Sequence, residues 1–231
     1  MFRALDVFTS TLTTLGRFAN GMRVTELGPR PARPLELYEF EACPFCRKVR
    51  EALSLLDLDA RVRPCPKNGP TYRPWVAERG GKMQFPYLVD PNTDRAMYES
   101  DDIVAYLFEH YGAGPPPLLL SAGPLTDVSA MLAGASRLSS GAWYRRARAP
   151  ERPLELFSFE ASPFSRLVRE TLCELELPYD LRNVARGSAK REAFEKRSGK
   201  MQVPWLSDPN TGTELFESAD IVAYLDDTYA L

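Results

Sequence analysis

Histidine is nearly absent from this 231-residue chain, and His110 stands alone. A zinc site would need a second ligand pair beside the cysteines, and this one histidine lies far from them in sequence. Cysteine is scarce as well: there are four, of which only Cys43 and Cys46 have a recognisable spacing. So sparse a set is no disulfide framework, and a reducing cytoplasm is the expected compartment. An excess of one charge is also missing. Lys and Arg number 29 against 31 Asp and Glu, a net charge of −2, so no global basic field points to nucleic acid. No apolar run approaches the roughly 20 residues that span a bilayer. Residues 1–33 are poor in acids and carry several Ser and Thr, the composition of an organelle transit peptide, but they lack the apolar core of a secretory signal.

What the chain does have is a passage written nearly twice. Lys82-Met83-Gln84-Phe85-Pro86-Tyr87-Leu88-Val89-Asp90-Pro91-Asn92-Thr93 returns as Lys200-Met201-Gln202-Val203-Pro204-Trp205-Leu206-Ser207-Asp208-Pro209-Asn210-Thr211. Cys43-Pro44-Phe45-Cys46 returns as Ser162-Pro163-Phe164-Ser165. The offset is 119 residues at Cys43 and 118 at Pro86, so one residue was lost or gained in between, in a loop. A repeat of this length organises the reading of everything else. With 44% hydrophobic residues the chain can fill two small cores.

Each copy reads as strand, helix, strand, helix, hairpin, helix. Leu35 to Phe40 alternates as a half-buried strand, and Leu154 to Phe159 does the same. Helices are predicted from Pro44 and Pro163, since proline is well tolerated at the first helical position. A second strand lies near Ala60–Arg63 and Tyr179–Arg182, and a helix with Trp75 and Val76, or with Phe194, follows. Asp90-Pro91-Asn92-Thr93 and Asp208-Pro209-Asn210-Thr211 are hairpin turns. Ser100 and Ser218 read as N-caps of the last helix in each copy. A right-handed β-α-β unit followed by a hairpin gives a four-stranded mixed sheet with helices on both faces. Between the copies lies Pro115-Pro116-Pro117 and a helical stretch, Ser129 to Leu138, that loosely echoes Thr9 to Phe18. A leading helix thus belongs to the repeat, which counts against a cleaved leader. Such helices would either pack the copies together or bind a surface.

Gln202-Val203-Pro204-Trp205-Leu206, Asp208-Pro209-Asn210-Thr211 and Glu217-Ser218-Ala219-Asp220-Ile221-Val222-Ala223-Tyr224-Leu225 together resemble the N-terminal domain of glutathione S-transferases. The copy with Cys43-Pro44-Phe45-Cys46 also resembles glutaredoxins and the thioredoxin-like domain of the membrane-associated type 2 prostaglandin E synthase. The whole chain is most similar to proteins with tandem glutathione-transferase N-terminal domains. The resemblance implies an α/β fold of two tandem thioredoxin-like (βαβ-α-ββα) domains, each preceded by a helix, without the all-α C-terminal domain of a standard transferase. The expected divisions are a leading helical segment 1–33, a domain 34–112 with the cysteine pair, a linker 113–152 with a helix, and a domain 153–231 with the serine pair.

Cys43 is expected just before a helix, where unpaired backbone N–H groups and the positive end of the dipole stabilise a thiolate. Arg47 and Lys48, one turn on, add positive charge, and Arg47 is counted with the glutathione-binding residues. Cys43 is then the nucleophile and Cys46 the resolving thiol. The plainer readings are a half zinc site or two buried structural cysteines. The resemblance implies a cis bond before Pro86 and Pro204, presenting the backbone of Phe85 or Val203 to the cysteinyl part of glutathione; otherwise each proline starts an edge strand in trans. It also matches Glu99-Ser100 and Glu217-Ser218 to the site for the γ-glutamyl end. A helix N-terminus with a Ser hydroxyl suits a carboxylate and Glu suits the ammonium, while N-capping alone would explain Ser but not Glu. Ser162 and Ser165 either support a bound thiolate, as a serine does in some glutathione transferases, or mark a copy kept for packing. Cys65 reads as a third reactive thiol or an exposed loop bystander, Cys173 as a semi-buried helix residue, His110 as a surface or helix-end residue, and Arg145-Arg146-Ala147-Arg148 as a solvated linker.

Three functions are thus in view. The first is a glutathione-dependent thiol–disulfide oxidoreductase of glutaredoxin type, acting on glutathionylated or disulfide-bearing substrates, with a redox-inactive second domain. The second is a glutathione transferase using Ser162 or Cys43. The third is a non-catalytic scaffold that holds glutathione, an iron–sulfur cluster or haem. No metal ligand set is expected, and neither nucleic acid nor a membrane is an expected partner.

Overall fold

Short alternating strands and one-sided helices build two similar halves of one sheet. The computed structural model of the chain describes residues 2–15, 20–25, 27–121, 137 and 140–231. The first half comprises β1 (Leu35–Glu39), α2 (Pro44–Leu55), β2 (Ala60–Pro64), α3 (Tyr72–Gly80), β3 (Tyr87–Asp90), β4 (Arg95–Met97) and α4 (Ser100–Tyr111), and is preceded by α1 (Phe2–Leu15). After the prolines a short α5 (Leu118–Ser121) follows. The second half repeats the order as β5 (Leu154–Ser158), α6 (Pro163–Glu174), β6 (Tyr179–Asn183), α7 (Arg191–Ser198), β7 (Trp205–Asp208), β8 (Thr213–Phe216) and α8 (Ser218–Tyr229). The expected helix at Ser129–Leu138 lies outside the described residues, apart from Arg137. No helix among the described residues is long and apolar enough to cross a membrane.

The fold is mixed α/β and thioredoxin-like. In each half the first two strands are parallel and the hairpin strands antiparallel. The two sheets are continuous: β2 pairs with β6 antiparallel, giving an eight-stranded order β4-β3-β1-β2-β6-β5-β7-β8. Arg61 stands opposite Asp180 at the centre of that pair, and the guanidinium donates to both carboxylate oxygens at 2.8 and 3.1 Å. These two residues occupy the same position in the repeat, so an approximate two-fold axis passes between them. An exact two-fold would set like against like there, whereas this chain sets a cation against an anion.

Behind the central strands, α2 and α6 bring a cluster of charges into the interior. Arg50 is 2% and Arg169 1% exposed, and both lie between Glu41 and Glu160, at 3.3 and 3.0 Å for Arg50 and 3.0 and 2.8 Å for Arg169. Arg47 and Arg166 approach the same carboxylates from the other side. Buried charges persist only when paired and hydrogen-bonded, and each of these arginines pairs with a carboxylate of its own half and one of the other. Apolar cores flank the cluster, around Leu37, Val49 and Leu53 in one half and Leu156, Val168 and Leu172 in the other. Full burial of one such side chain is worth about 1.5–3 kcal/mol. The leading helix α1 crosses over to pack on α6 of the second half, where Ser10 Oγ donates to the Pro163 carbonyl at 2.8 Å.

The last helix of each half is fixed from beneath. Tyr106 donates to Asp90 at 2.7 Å and Tyr224 to Asp208 at 2.7 Å, and each aspartate also orders its own turn through Asn92 or Asn210. The start of that helix corrects an expectation. Ser100 and Ser218 are its first residues rather than N-caps; the cap positions belong to Glu99 and Glu217, both at φ 63°, with no side-chain capping bond. A residue at positive φ turns the chain so sharply that the serine falls inside the helix. For a non-glycine residue this costs on the order of 1–3 kcal/mol.

Candidate functional site

In the first half β1 runs through a tight turn into α2, and the turn leaves Cys43 at the N-cap. Its backbone is extended (φ −77°, ψ 120°), Pro44 follows, and its Sγ accepts from the Cys46 N–H at 3.3 Å. Both thiols are buried, at 4% and 0% exposure. Burial pushes the Cys43 thiol up, but hydrogen bonds from the Cys46 thiol and backbone N–H outweigh it and leave Cys43 below the ordinary thiol value. Burial, and then the bond to Cys43, push Cys46 well above it. The two thiols are therefore shifted in opposite directions, Cys43 down and Cys46 up.

Beside the start of α2 lies a cavity of about 210 Å³ lined by Phe45, Gln84, Phe85, Pro86, Glu99 and Ser100. The structure thus brings together Phe85, Pro86, Glu99 and Ser100, the residues singled out in the sequence; Cys43 is not among the lining side chains. The Phe85–Pro86 bond is cis. Gln84 Nε2 donates to Glu99 Oε1 at 2.7 Å, bracing the carboxylate over the mouth of α4. Phe45 and Gln84 were missed, although both recur in the second copy as Phe164 and Gln202. Arg47 sits elsewhere. It is 5% exposed and turned inward to Glu51 at 3.2 Å and Glu160 at 3.7 Å, so its charge is committed to the interior cluster.

The second half keeps this geometry with different atoms. Ser162 caps α6 at φ −75° and ψ 113°, accepting from the Ser165 N–H at 3.2 Å and the Ser165 hydroxyl at 2.9 Å. The Val203–Pro204 bond is cis, and Gln202 Nε2 reaches Glu217 Oε1 at 2.5 Å. Phe164, Glu217 and Ser218 border a larger cavity of about 970 Å³, whose wall continues onto Asp6 and Val7 of α1. Ser162, Ser165, Val203 and Pro204 are not among its lining residues. In the first half Lys48 of α2 is ion-paired with Asp101 of α4, and the equivalent positions in the second half are Leu167 and Ala219, which line the larger cavity.

A family model described as the N-terminal domain of glutathione S-transferase matches residues 37–116 and again residues 156–231. The chain belongs to this family. A glutathione S-transferase-like protein of Beauveria bassiana, OpS6, is 34% identical over 77 residues, which is 33% of this chain and 35% of that protein. The match thus spans about a third of that relative's length. Among solved structures, the glutathione transferase BmGSTD1 of Bombyx mori is 26% identical, covering 37% of this chain and 39% of that one, with a TM-score of 0.33. The trimeric glutathione transferase TDR1 of Leishmania is 16% identical, covering 87% and 68%, with a TM-score of 0.31.

The remaining residues of interest in this glutathione-transferase-like chain are structural. Cys65, expected in an exposed loop, is 0% exposed: its N–H donates to the Glu39 carbonyl at 2.6 Å and continues the β1–β2 pairing inward. Cys173 is buried rather than semi-buried, because its sulfur accepts from the Glu41 N–H at 3.4 Å across the two halves. Ser54, its equivalent in the first copy, accepts from the Glu160 N–H at 2.9 Å. His110 bonds within the last turn of α4. Arg145 ties the linker to Glu174 and Asp226 at 3.1 and 2.6 Å. Among the described residues no group of three or more His, Cys, Asp or Glu is arranged to hold a metal ion.

Proposed function

We propose that the chain is a glutathione-dependent thiol–disulfide oxidoreductase, built as two tandem thioredoxin-like domains over 34–112 and 153–231, of which only the first carries out redox chemistry. The observation that carries this reading is the placement of the thiol pair, with Cys43 at the N-cap of α2 accepting from the Cys46 N–H at 3.3 Å; the downward shift of Cys43 and the upward shift of Cys46 support it. The Cys43 thiolate attacks the glutathione sulfur of a mixed disulfide. The S–S bond breaks, the substrate leaves as a thiolate that takes a proton from water, and Cys43 is left joined to glutathione. A second glutathione thiolate then attacks the glutathione sulfur and releases glutathione disulfide. Alternatively, Cys46 attacks Cys43 and releases glutathione.

Glutathione is held beside α4, with Glu99 taking its ammonium and Ser100 with the helix N–H groups taking the γ-glutamyl carboxylate. The Phe85 backbone pairs with its cysteinyl part. Arg47 has no part in this cradle. Val203, Pro204, Glu217 and Ser218 form a second cradle that binds glutathione without thiol chemistry. A reducing compartment such as the cytoplasm suits these steps.

The test is the reduction of a glutathione mixed disulfide by wild type and Cys43→Ser. Removing the nucleophile is expected to lower the rate by on the order of 100-fold or more. A wild type that is inert and has no affinity for glutathione overturns the reading. A second reading, conjugation of glutathione to an apolar electrophile in the second half, is favoured by the roughly 970 Å³ cavity beside Glu217 and Ser218. Conjugation that survives Cys43→Ser and is lost in Ser162→Ala would select it. An absorbance spectrum of freshly purified protein reads out an iron–sulfur cluster or haem.

A further inference from the structure

Arg79 and Arg197 hold the same place in the repeat but have unlike surroundings. Each lies in the last turn of its helix, two residues before Gly81 or Gly199, the left-handed C-caps of α3 and α7. Arg197 is ringed by acceptors. Its Nη1 donates to Glu155 Oε2 at 2.6 Å, and its Nη2 reaches Ser207 Oγ at 3.4 Å and Glu214 Oε1 at 3.6 Å. The guanidinium lies over the rings of Phe157 and Trp205.

The first half withdraws each of these acceptors. Val89 and Ala96, paired across β3 and β4, stand where Ser207 and Glu214 pair across β7 and β8. Glu36 stands for Glu155, but Tyr38 replaces Phe157, and its hydroxyl donates to Glu36 Oε2 at 3.1 Å. Arg63 takes the same carboxylate at 3.2 and 3.3 Å. Arg79 keeps a ring neighbour, Trp75 at 5.6 Å, and has no carboxylate partner among the described residues. It borders a cavity of about 410 Å³ whose apolar wall is Tyr72, Trp75, Val89 and Pro91. This cavity shares no lining residue with the one beside Glu99 and Ser100.

We propose that this cavity binds a small monocarboxylate with an apolar body, its carboxylate paired with Arg79 as Glu214 is paired with Arg197. The second half displays the filled arrangement, with a carboxylate of the chain itself on the guanidinium. In the first half the exchange of Glu214 for Ala96 and of Ser207 for Val89 leaves an open, apolar space beside an unpaired guanidinium. A planar guanidinium resting on a ring offers its N–H groups to a carboxylate in a fixed geometry. The volume suits a small ligand, since such sites usually measure about 300–1,000 Å³. A cation is disfavoured, because Arg63 and Arg79 outnumber Glu36 and the Glu36 carboxylate already accepts from Tyr38 and Arg63. The site stands apart from the thiol pair and does not depend on its chemistry.

Titration calorimetry with hydrocinnamate, and with its uncharged amide as the control, tests this. Wild type is expected to bind the acid at least about tenfold more tightly than the amide, the gain of a charge-assisted hydrogen bond. Arg79→Gln should remove that preference, and Arg79 is exposed, so the fold should tolerate the change. Ala96→Glu restores the carboxylate of the second half beside Arg79 and should abolish binding of the acid. Saturating glutathione should leave the affinity of the acid unchanged. A wild type that does not prefer the acid overturns the proposal. So does an acid that binds Arg79→Gln or Ala96→Glu as tightly as wild type, or one that glutathione displaces.

Discussion

The first half of the molecule carries Glu39, Cys43 and Cys46 where the second carries Ser158, Ser162 and Ser165. Around those positions the halves differ little. The two N-caps agree within a few degrees, the two Gln–Glu pairs over the last helix recur, and both glutamates sit at φ 63°. The scaffold therefore needs an acceptor atom at the N-cap but no sulfur, since a serine hydroxyl fills the same place. The half that carries the thiols also carries two ion pairs that the other lacks, Arg50 with Glu39 and Lys48 with Asp101. The serine half has gone the other way, towards a wider cavity with Leu167 and Ala219 in its wall.

The largest effect is expected where the comparison is closest to symmetric. Arg50→Ala and Arg169→Ala each leave Glu41 and Glu160 short of a buried partner, and each should cost about 3–5 kcal/mol in urea unfolding. Arg50→Ala should cost more, because it also strands Glu39. The two sides also differ in their pH dependence. Glu160 is held down to about 2, because its arginines outweigh its burial. Its contribution to stability is present above about 4.5, the ordinary value, and is lost as pH falls towards 2. Glu39 is raised, so its contribution has the opposite sign: it is complete below about 4.5 and is lost as pH rises through about 7. Replacing Glu39 by the serine of the other half should therefore flatten the fall in stability between pH 5 and 8. Equal losses for Arg50→Ala and Arg169→Ala would mean that Glu39 contributes nothing to the asymmetry.

A middling effect separates the two proposed glutathione cradles. Glu99→Gln keeps size and hydrogen bonding but removes the charge proposed to meet an ammonium, and should weaken glutathione binding about tenfold, or about 1.4 kcal/mol. Titration calorimetry of wild type should find two glutathione molecules per chain, falling to one in Glu217→Gln. A stoichiometry of one that Glu217→Gln leaves unchanged would confine binding to the thiol half.

Much of each half was legible in the sequence because local rules decide it. Alternation at Leu35–Phe40, prolines at the first helical position and the Asp-Pro-Asn-Thr turns specify strands, helices and hairpins without reference to anything distant. The cavity residues Phe85, Pro86, Glu99 and Ser100 were legible through resemblance and through recurrence. The join between the halves was not. Arg61 and Asp180 are 119 residues apart, and nothing near either marks a strand edge that will pair. Arg47, Arg50, Arg166 and Arg169 look solvated in sequence because charged side chains usually are. Their recurrence as pairs, together with Glu41 and Glu160, was the available signal for burial. Ser100 misled for a related reason. Serine before a helix ordinarily caps it, and only the positive φ of Glu99 moves it one position inward.

The smallest effect bears on why serine stands at position 162. As an N-cap whose hydroxyl accepts from Ser165 N–H at 3.2 Å, Ser162 should cost about 1 kcal/mol when changed to alanine. Cys43→Ala should cost only a few tenths of that, because sulfur is the weaker acceptor and its bond is 3.3 Å long. Thermal unfolding of the two variants measures the difference directly. If Ser162→Ala proves as mild as Cys43→Ala, capping does not account for the serine. A hydroxyl kept to donate to a bound glutathione thiolate then becomes the better explanation, and the serine half gains a chemistry of its own.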